Sequence, residues 1–458
     1  MLSHVAPMSF PNSKTLKQRV LRAGGWNIAG YGLSQVIRLG SNLVMTRLLV
    51  PEMYGVMAIA MTLTVILSLM SDIGLRQNIV QSRRGDDPDF LDTVWVVQIA
   101  RGVVLWLAAL ALSIALHFAN LWDVLPAKSV YASPVLPLVI AVFSLSTIIA
   151  GFQSTKWATA YRRFDQKRIM QIELIAQVVA TVVMIVIGAA TRSIWALVTG
   201  GLLASLITMV LSHTWMSGHP NRFRWEKNAL RELIVFGKWV FVSSLVGVLA
   251  GSGDLLLGGF VGADVLGLYV IAGLVLGAIP GGLSRLFAMV SLPALSEVAR
   301  NDPSRLRDVY YKLRVPGDLL LLFLMGLLFS AGQLLIDLLY DPRYSAAGGI
   351  LQVLALSLFA ARYGVVFQVY LALGLPHYLA VLNTVSLVSL YTLVPPLYYY
   401  GGIQAAIWGM ALGSLAVMPF IFYFNEKLGL NDYRRELAVL VAVPAGWLCG
   451  SALNLIFG

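Results

Sequence analysis

Long apolar segments follow one another along the chain, and short polar segments separate them. A helix needs roughly 20 apolar residues to cross the hydrocarbon core of a bilayer, and its backbone polar groups must be satisfied inside the helix. Each apolar segment therefore predicts one spanning helix. The predicted spans are 25–47, 54–75, 92–118, 133–153, 170–190, 193–215, 237–259, 266–288, 316–340, 347–373, 376–399, 402–424 and 436–457. The pattern predicts an all-α polytopic membrane protein.

Composition supports this class and excludes an ordinary soluble domain. Hydrophobic residues make up 58% of the 458 residues, charged residues make up only 12%, and the mean hydropathy is +0.79. Soluble domains carry about 25% charged residues. Residues 1–24 are polar and basic, and the apolar segment after them is too long for a signal peptide, so none is expected. Because Cys449 is the only cysteine, an internal disulfide is excluded.

The distribution of Lys and Arg predicts an orientation. Of the 33 basic residues, 24 lie in alternate loops, at 1–24, 76–91, 154–169, 216–235, 291–314 and 425–435. The loops on the other side hold four, which are Arg47, Lys128, Arg192 and Arg343. Since Lys and Arg accumulate in cytoplasmic loops, we expect the N-terminus inside and the C-terminus outside. The net charge of +11 is therefore a topology signal, and no nucleic-acid partner is predicted.

A weak internal repeat divides the chain into two halves. A shift of 212 residues places Gly55 on Gly267 and Glu52 on Asp264 without a gap. Because six spans separate the copies, both run in the same direction, which predicts two six-helix lobes related by a pseudo-two-fold axis along the membrane normal. The predicted divisions are an N-terminal cytoplasmic segment (1–24), an N-lobe (25–215), a cytoplasmic linker (216–235), a C-lobe (236–424), and a loop with about one additional helix (425–458).

A polar stripe on the first span points to a cavity between the lobes. Tyr31, Gln35, Arg38 and Asn42 recur at three- and four-residue spacing, which places them on one helical face. The alternative is a polar seam packed against a neighbouring helix. Arg38 and Arg362 lie near the middle of their spans, where an arginine is costly and should face either a partner or water.

Further charged residues lie within or beside the spans. Arg76 and Arg285, with Arg101, would suit an anionic group entering from the inside, because guanidinium groups match phosphate oxygens. Anchoring on lipid headgroups is the alternative for each of them. Asp254 and Glu173 are candidates for ion coupling or for structural pairing.

Signatures of enzymes are missing from the sequence. It contains no phosphate-binding loop for a nucleotide, and its five His residues are scattered without metal-ligand spacing. A membrane polymerase or glycosyltransferase that acts on polyprenyl-linked sugars would show clustered acids or a long outer loop, and neither is present. The sequence therefore predicts a transporter that uses no cofactor and no metal.

Four segments resemble the polysaccharide-synthesis branch of the multidrug/oligosaccharidyl-lipid/polysaccharide exporter superfamily. They are residues 46–55 and 71–75 on either side of the second span, 157–168 between spans four and five, and 262–272 at the second-lobe turn. The motifs are loose individually, but their order and spacing are specific, and the resemblance covers roughly residues 20–430. Members of this family have twelve or fourteen helices, so the thirteenth predicted helix is a departure.

The resemblance implies a flippase that works by alternating access. Its cargo would be an undecaprenyl-diphosphate-linked oligosaccharide, moved from the inner to the outer leaflet of a bacterial inner membrane for O-antigen, exopolysaccharide or capsule synthesis. A polysaccharide polymerase and other assembly proteins are candidate partners. The candidate ligands are Arg38, Arg362, Arg285 and Arg76 for the diphosphate, and Tyr31, Gln35 and Asn42 for the sugars.

Two other transport functions stay open. A drug or cation antiporter of the same superfamily would need an acidic cavity, which the arginines at mid-depth disfavour. A lipid-linked peptidoglycan precursor is an alternative cargo. The sugars of the cargo, the coupling ion, the oligomeric state and the number of helices are left open by the sequence.

Overall fold

The computed structural model describes residues 13–70, 84–163, 165–227 and 253–457, with residues 75, 79, 82, 229 and 230. This part of the chain is helical and contains no strand. The helices are α1 (Ser13–Leu48), α2 (Pro51–Met70), α3 (Pro88–Leu121), α4 (Leu136–Phe143), α5 (Leu145–Gly151), α6 (Lys156–Arg162), α7 (Gln166–Thr191), α8 (Trp195–Thr214), α9 (Gly253–Gly258), α10 (Ala263–Asn301), α11 (Leu306–Leu339), α12 (Ala347–Leu354), α13 (Leu358–Ala361), α14 (Gly364–Ala372), α15 (Pro376–Gly413), α16 (Met418–Lys427), α17 (Tyr433–Ala438) and α18 (Ala442–Phe457).

The helices agree with the predicted spans. Within the described residues, nine helical segments are long and apolar enough to cross a membrane, or ten if the bent pair at 136–162 forms one span. The segment His377–Lys427 covers two predicted spans, and its backbone breaks at Gly402, where φ is 66°. Glycine adopts this conformation at little cost, so the break divides the two spans. Helix α1 is too polar to pass the same test, and most of the predicted span 237–259 lies outside the described residues.

The contact between α2 and α10 shows the symmetry of the two lobes. A methyl group on Gly55 would overlap the carbonyl oxygen of Ala263, and a methyl group on Gly267 would overlap the carbonyl oxygen of Pro51. Gly55 and Gly267 are 212 residues apart, and so are Pro51 and Ala263. Equivalent positions therefore make equivalent contacts, as a pseudo-two-fold axis along the helices requires. The two-lobe fold is confirmed, whereas the exact boundaries between the lobes and the linker stay predictions.

The lobes are joined at the end where α2 and α10 begin, which we call the closed end. Tyr344 donates a hydrogen bond of 2.9 Å from its hydroxyl to the carbonyl of Leu49, and Arg343 donates one of 3.1 Å to the carbonyl of Arg47. The backbone N–H of Val130 donates to the carbonyl of Val261 at 3.0 Å. We call the other end the basic end; it contains the turns at 84–87, 216–227, 302–305 and 428–432.

The first part of the predicted linker is bound to the N-lobe. The Asp92 carboxylate, at the start of α3, accepts a hydrogen bond of 2.9 Å from the backbone N–H of Arg222 and lies 2.8 Å from His219 Nε2. Further along, Arg84 forms an ion pair of 2.6 Å with Glu226. Residues 216–227, the first part of the predicted linker, thus pack against the N-lobe.

The same turn also begins helix α3. Asp87 caps the helix by accepting the backbone N–H of Asp89 at 3.1 Å, and Arg84 donates to the same carboxylate at 2.7 Å. These hydrogen bonds from Arg84 hold the pKa of Asp87 below its ordinary value. The stabilisation is therefore present at neutral pH and is lost only as the pH falls through that lowered pKa.

Replacing Asp92 with alanine is expected to release the linker from the N-lobe. The change removes the acceptor of the Arg222 N–H, and loss of such a buried partner costs about 1–3 kcal/mol. Trypsin cleavage of the purified protein after Arg222 and Arg224 should become roughly fivefold faster or more. Asp86→Ala is the control, because Asp86 is exposed and pairs with Arg163 instead of the linker. Equal cleavage of Asp92→Ala and the unchanged protein would contradict this docking.

The additional C-terminal helix is an integral part of the C-lobe. A side chain at Gly326 of α11 would overlap the carbonyl of Val443, and one at Gly446 of α18 would overlap the carbonyl of Phe323. Small residues thus let the two helices approach closely. The helices run parallel, so α18 ends at the closed end, which agrees with the prediction that the C-terminus lies opposite the basic loops.

Candidate functional site

Helix α1 contacts both lobes. On one side, the Ser34 hydroxyl donates to Gln177 Oε1 of α7 at 2.7 Å, and the Gln177 amide donates back to the Ser34 carbonyl at 2.9 Å. On the other side, Gln35 donates to the carbonyl of Ala278 in α10 at 3.1 Å. The polar stripe of α1 therefore serves in part as a packing seam, which was the alternative interpretation of the sequence.

Arg38 faces the space between α7 and α10. It follows Ser34 by four residues and Gln35 by three, so its side chain lies on the same helical face, between the directions of those two contacts. The side chain is exposed, and no carboxylate in the described part of the chain forms an ion pair with its guanidinium. Arg38 thus presents its donors to the space between the lobes.

Tyr31 and Asn42 lie on the same stripe, at different depths. A methyl group on Gly281 of α10 would lie only 2.7 Å from the Tyr31 hydroxyl. Because glycine has no side chain, the Tyr31 ring fits against α10 at this position. Asn42 is buried, and its Oδ1 accepts no hydrogen bond from any described residue. Both residues therefore flank Arg38, as the helical spacing predicts.

A cavity of about 420 Å³ lies within the N-lobe, between α5, α7 and α8. Gln177, which is bonded to Ser34, lines it, and Glu173 lies one turn earlier on the same helix. Thr181 of α7 and Ser205 and Thr208 of α8 add hydroxyl groups to the lining. The cavity can therefore make hydrogen bonds to a hydroxyl-rich molecule, and it contains one carboxylate.

Arg362 lies in a different environment from Arg38. It is buried, with 2% of its surface exposed, and it donates hydrogen bonds to Glu436 at 3.0 Å and to the Tyr363 hydroxyl at 2.6 Å. The structure therefore encloses Arg362 with a partner and does not turn it toward the space that Arg38 faces. Glu436 begins the predicted span 436–457, so Arg362 lies near the basic end and not at mid-depth as predicted, and it meets a partner.

The other predicted site residues are described only in part. Arg76 lies outside the described residues, and so do the side chains of Arg285 and Asp254. Their roles stay predictions. Arg101 donates to the carbonyl of Ser68, so it pairs within the N-lobe.

Four buried charges form a cluster that the sequence pattern did not predict, which we call the ion cluster: Arg314, Asp318, Arg362 and Glu436. Arg314 is fully buried; it donates to both oxygens of Glu436, at 2.6 and 2.9 Å, and its Nε lies 2.8 Å from Asp318. The cluster joins α11 and the α13–α14 turn to α17. The four-residue spacing of Arg314 and Asp318 indicates an ion pair on one helical face. Glu436, however, is 122 residues from Arg314, so no local spacing predicts its contact with the pair.

The family model described as "Polysaccharide biosynthesis protein" matches residues 44–349, which is more than half of the chain. The chain belongs to the polysaccharide biosynthesis protein family. The match begins after Arg38 and ends before Arg362 and Glu436, so the match itself includes none of the three.

Known proteins similar to this polysaccharide biosynthesis protein include one sequence relative and two solved structures. One from Klebsiella pneumoniae, an "uncharacterized membrane protein in cps region", is 24% identical over 305 residues, which make up 65% of this chain and 60% of that protein. The lipid II flippase MurJ, in an inward closed conformation, superposes with a TM-score of 0.69 at 13% identity, over 92% of this chain and 91% of MurJ. An inward-facing multidrug resistance MATE family transporter of the MOP superfamily gives 0.68 at 13% identity, over 86% and 94%. These structures share the fold.

Proposed function

We propose that this protein flips an undecaprenyl-diphosphate-linked oligosaccharide from the inner to the outer leaflet of a bacterial inner membrane. The observation that carries the proposal is Arg38, an exposed arginine on the face of α1 between the lobes, without a carboxylate partner among the described residues. A guanidinium in that position attracts an anion, and its forked donors match the oxygens of a diphosphate.

The surroundings of Arg38 suit the other two parts of such a substrate. The sugars need hydrogen-bonding groups, which Tyr31, Gln35 and Asn42 offer beside Arg38 and which the N-lobe cavity offers at Gln177 and Ser205. The polyprenyl tail needs no polar route, because it can stay in the hydrocarbon of the bilayer. Only the diphosphate and the sugars must cross the bilayer. A route with one charged group and polar walls is therefore sufficient for them.

The closed end supports an inward-facing state. The excess of Lys and Arg at the basic end predicts that this end faces the cytoplasm. The hydrogen bonds from Tyr344 and Arg343 and the packing of Gly55 hold the lobes together at the opposite, outer end. The MurJ and MATE structures with a similar fold are also described as inward conformations. In this state the substrate would enter from the cytoplasmic leaflet.

Replacing Arg38 with alanine is expected to reduce export strongly while the protein still folds and inserts. A hydrogen bond to a charged group contributes about 1.5–3 kcal/mol, so export should fall by roughly tenfold to a hundredfold. The measurements are surface polysaccharide and the lipid-linked oligosaccharide that accumulates on the inner leaflet. Arg38→Lys is the matched control, since it keeps the charge without the fork and should export at an intermediate rate. Normal surface polysaccharide in cells that carry only Arg38→Ala would remove Arg38 from the mechanism.

A drug or cation antiporter is the second candidate function. Glu173, which lines the N-lobe cavity, favours it, because a carboxylate suits an organic cation or a coupling ion. In the flippase, the same residue would serve ion coupling. Unchanged surface polysaccharide together with altered dye sensitivity in a deletion strain would favour the antiporter.

A further inference from the structure

The part of the linker at 222–227, which we call the docked segment, lies at the level where the third predicted span begins. The backbone N–H of Arg222 donates to the Asp92 carboxylate at 2.9 Å, and the backbone N–H of Glu226 donates to the Thr93 hydroxyl at 3.0 Å. Asp92 and Thr93 are the first two residues of that predicted span. The docked segment therefore runs beside the turn of α3 that enters the hydrocarbon layer, at the depth of the lipid headgroups.

The docked segment covers the side of α3 that faces lipid. It contacts α3 at Thr93 through Glu226 and at Asp89 through Arg224. Thr93 precedes Val104 by eleven residues and Asp89 precedes Leu107 by eighteen, which are about three and five whole helical turns, so each pair lies on one side of the helix. Val104 and Leu107 are exposed, and exposed apolar side chains of a spanning helix meet hydrocarbon. The docked segment thus lies on the outside of the N-lobe.

A charged and an aromatic side chain of the docked segment lie at different depths. Arg224 pairs with Asp89, in the first turn of α3, whereas the centre of the Phe223 ring lies 4.8 Å from that of the Trp95 ring. Asp89 and Trp95 are six residues apart, so the two contacts differ in depth by about 9 Å. The Phe223 ring therefore lies on the bilayer side of Arg224. It is 73% exposed, and Trp225, two residues further on, is 52% exposed.

Two cations of the docked segment are available to an external anion. Arg222 and Lys227 are exposed, and neither forms an ion pair with a described residue. The other two charges, Arg224 and Glu226, are paired with residues of the N-lobe. Guanidinium and ammonium groups bind phosphate oxygens, and the headgroup of every phospholipid carries a phosphate. These two cations therefore suit a headgroup layer of any phospholipid composition.

We propose that the docked segment is an interfacial membrane anchor: Phe223 and Trp225 enter the leaflet at the basic end, and Arg222 and Lys227 bind its phosphate groups. Entry of the two rings removes apolar surface from water, and aromatic side chains accumulate at this interface. The long stems of arginine and lysine let their charged ends stay among the phosphates. The linker between the lobes is thereby held at the bilayer surface, where it moves with the N-lobe.

Spin labelling of the full chain in phospholipid liposomes tests the proposal. Arg222→Cys, Phe223→Cys, Trp225→Cys and Lys227→Cys are made singly in a Cys449→Ser background, and each cysteine carries a nitroxide. A nitroxide in lipid collides mainly with oxygen, and one in water collides mainly with a soluble nickel chelate. The labels at 223 and 225 should collide mainly with oxygen and lie about 5–10 Å below the phosphates. The labels at 222 and 227 should collide mainly with the chelate.

Two further positions calibrate the collision rates. Leu107→Cys reports the hydrocarbon on the same side of α3, and Asp86→Cys reports water, because Asp86 is exposed in the turn before α3. Phe223→Cys removes the contact with Trp95, whereas Trp225→Cys leaves that contact intact.

Collision mainly with the chelate at both 223 and 225 would overturn the proposal, because the docked segment would then lie in water. Protection of both labels from both reagents would overturn it as well, because the protein itself would then cover the docked segment. Since the collision rates are measured without export, neither result bears on the proposed function.

Discussion

Cells that depend on the Gly55→Ala variant are expected to lose most of their surface polysaccharide. Gly55 packs directly on the backbone of Ala263, and an added methyl group would overlap that carbonyl oxygen. A backbone cannot move aside as a flexible side chain does, so α2 and α10 would have to separate at the closed end. Overpacking of this kind costs about 1–3 kcal/mol, which shifts the equilibrium between the two conformations roughly fivefold to a hundredfold toward the outward-open one.

Thiol labelling measures this shift without relying on export. Leu49 is fully buried at the closed end, where its carbonyl accepts the Tyr344 hydroxyl. Leu49→Cys, in a Cys449→Ser background that removes the only native cysteine, should react slowly with a membrane-impermeant reagent in whole cells. Adding Gly55→Ala should speed the labelling of Leu49→Cys roughly fivefold to a hundredfold. Gly267→Ala should act alike, because the symmetry places Gly267 on the backbone of Pro51.

Gly277→Ala is the matched control for this prediction. It makes the same substitution in α10, at a position where an added methyl group would meet no heavy atom within 4 Å. Labelling and export should stay at the level of the unchanged protein. Slow labelling and normal export in both Gly55→Ala and Gly267→Ala would show that the glycine contact does not hold the closed end together.

The largest loss of stability is expected for Glu436→Leu. The substitution leaves Arg314 and Arg362 buried with only Asp318 as a counter-charge. Removing one partner of a buried ion pair costs about 3–5 kcal/mol, because the remaining charge keeps its desolvation cost without compensation. The melting temperature of the purified protein should fall markedly. It is measured from the fraction of protein that stays monodisperse after heating. Glu426→Leu, at an exposed glutamate of α16, should change it little.

A compensating variant distinguishes charge balance from simple loss of a side chain. Arg314→Met combined with Glu436→Leu removes one charge of each sign and leaves Arg362 with Asp318, 3.6 Å apart. Since apolar residues can replace a buried pair at little cost, the double variant should be more stable than Glu436→Leu alone. A double variant that is no more stable than the single one would show that the ion cluster is not held by charge compensation.

Two arginines that look alike in the sequence show where prediction from sequence ends. Arg38 and Arg362 both lie near the middle of an apolar segment, and the sequence predicts only that each needs water or a partner. The structure leaves Arg38 exposed beside α7 and α10, whereas Arg362 meets Glu436, which is 74 residues away. A partner at that distance is brought near by the packing of the last span, which local spacing does not encode.

What the sequence determined by itself is the set of spanning helices and their repeat. A bilayer requires long apolar helices, and a repeat at a constant offset along the chain predicts two lobes related by symmetry. Both features can therefore be deduced from composition and from order along the chain. Helical periodicity also placed Tyr31, Gln35, Arg38 and Asn42 on one face. Only the tertiary structure decided what that face meets: Gln35 packs on α10 and Arg38 stays exposed. Which neighbour covers a helical face depends on how the lobes pack, and packing is set by contacts between residues far apart in the chain.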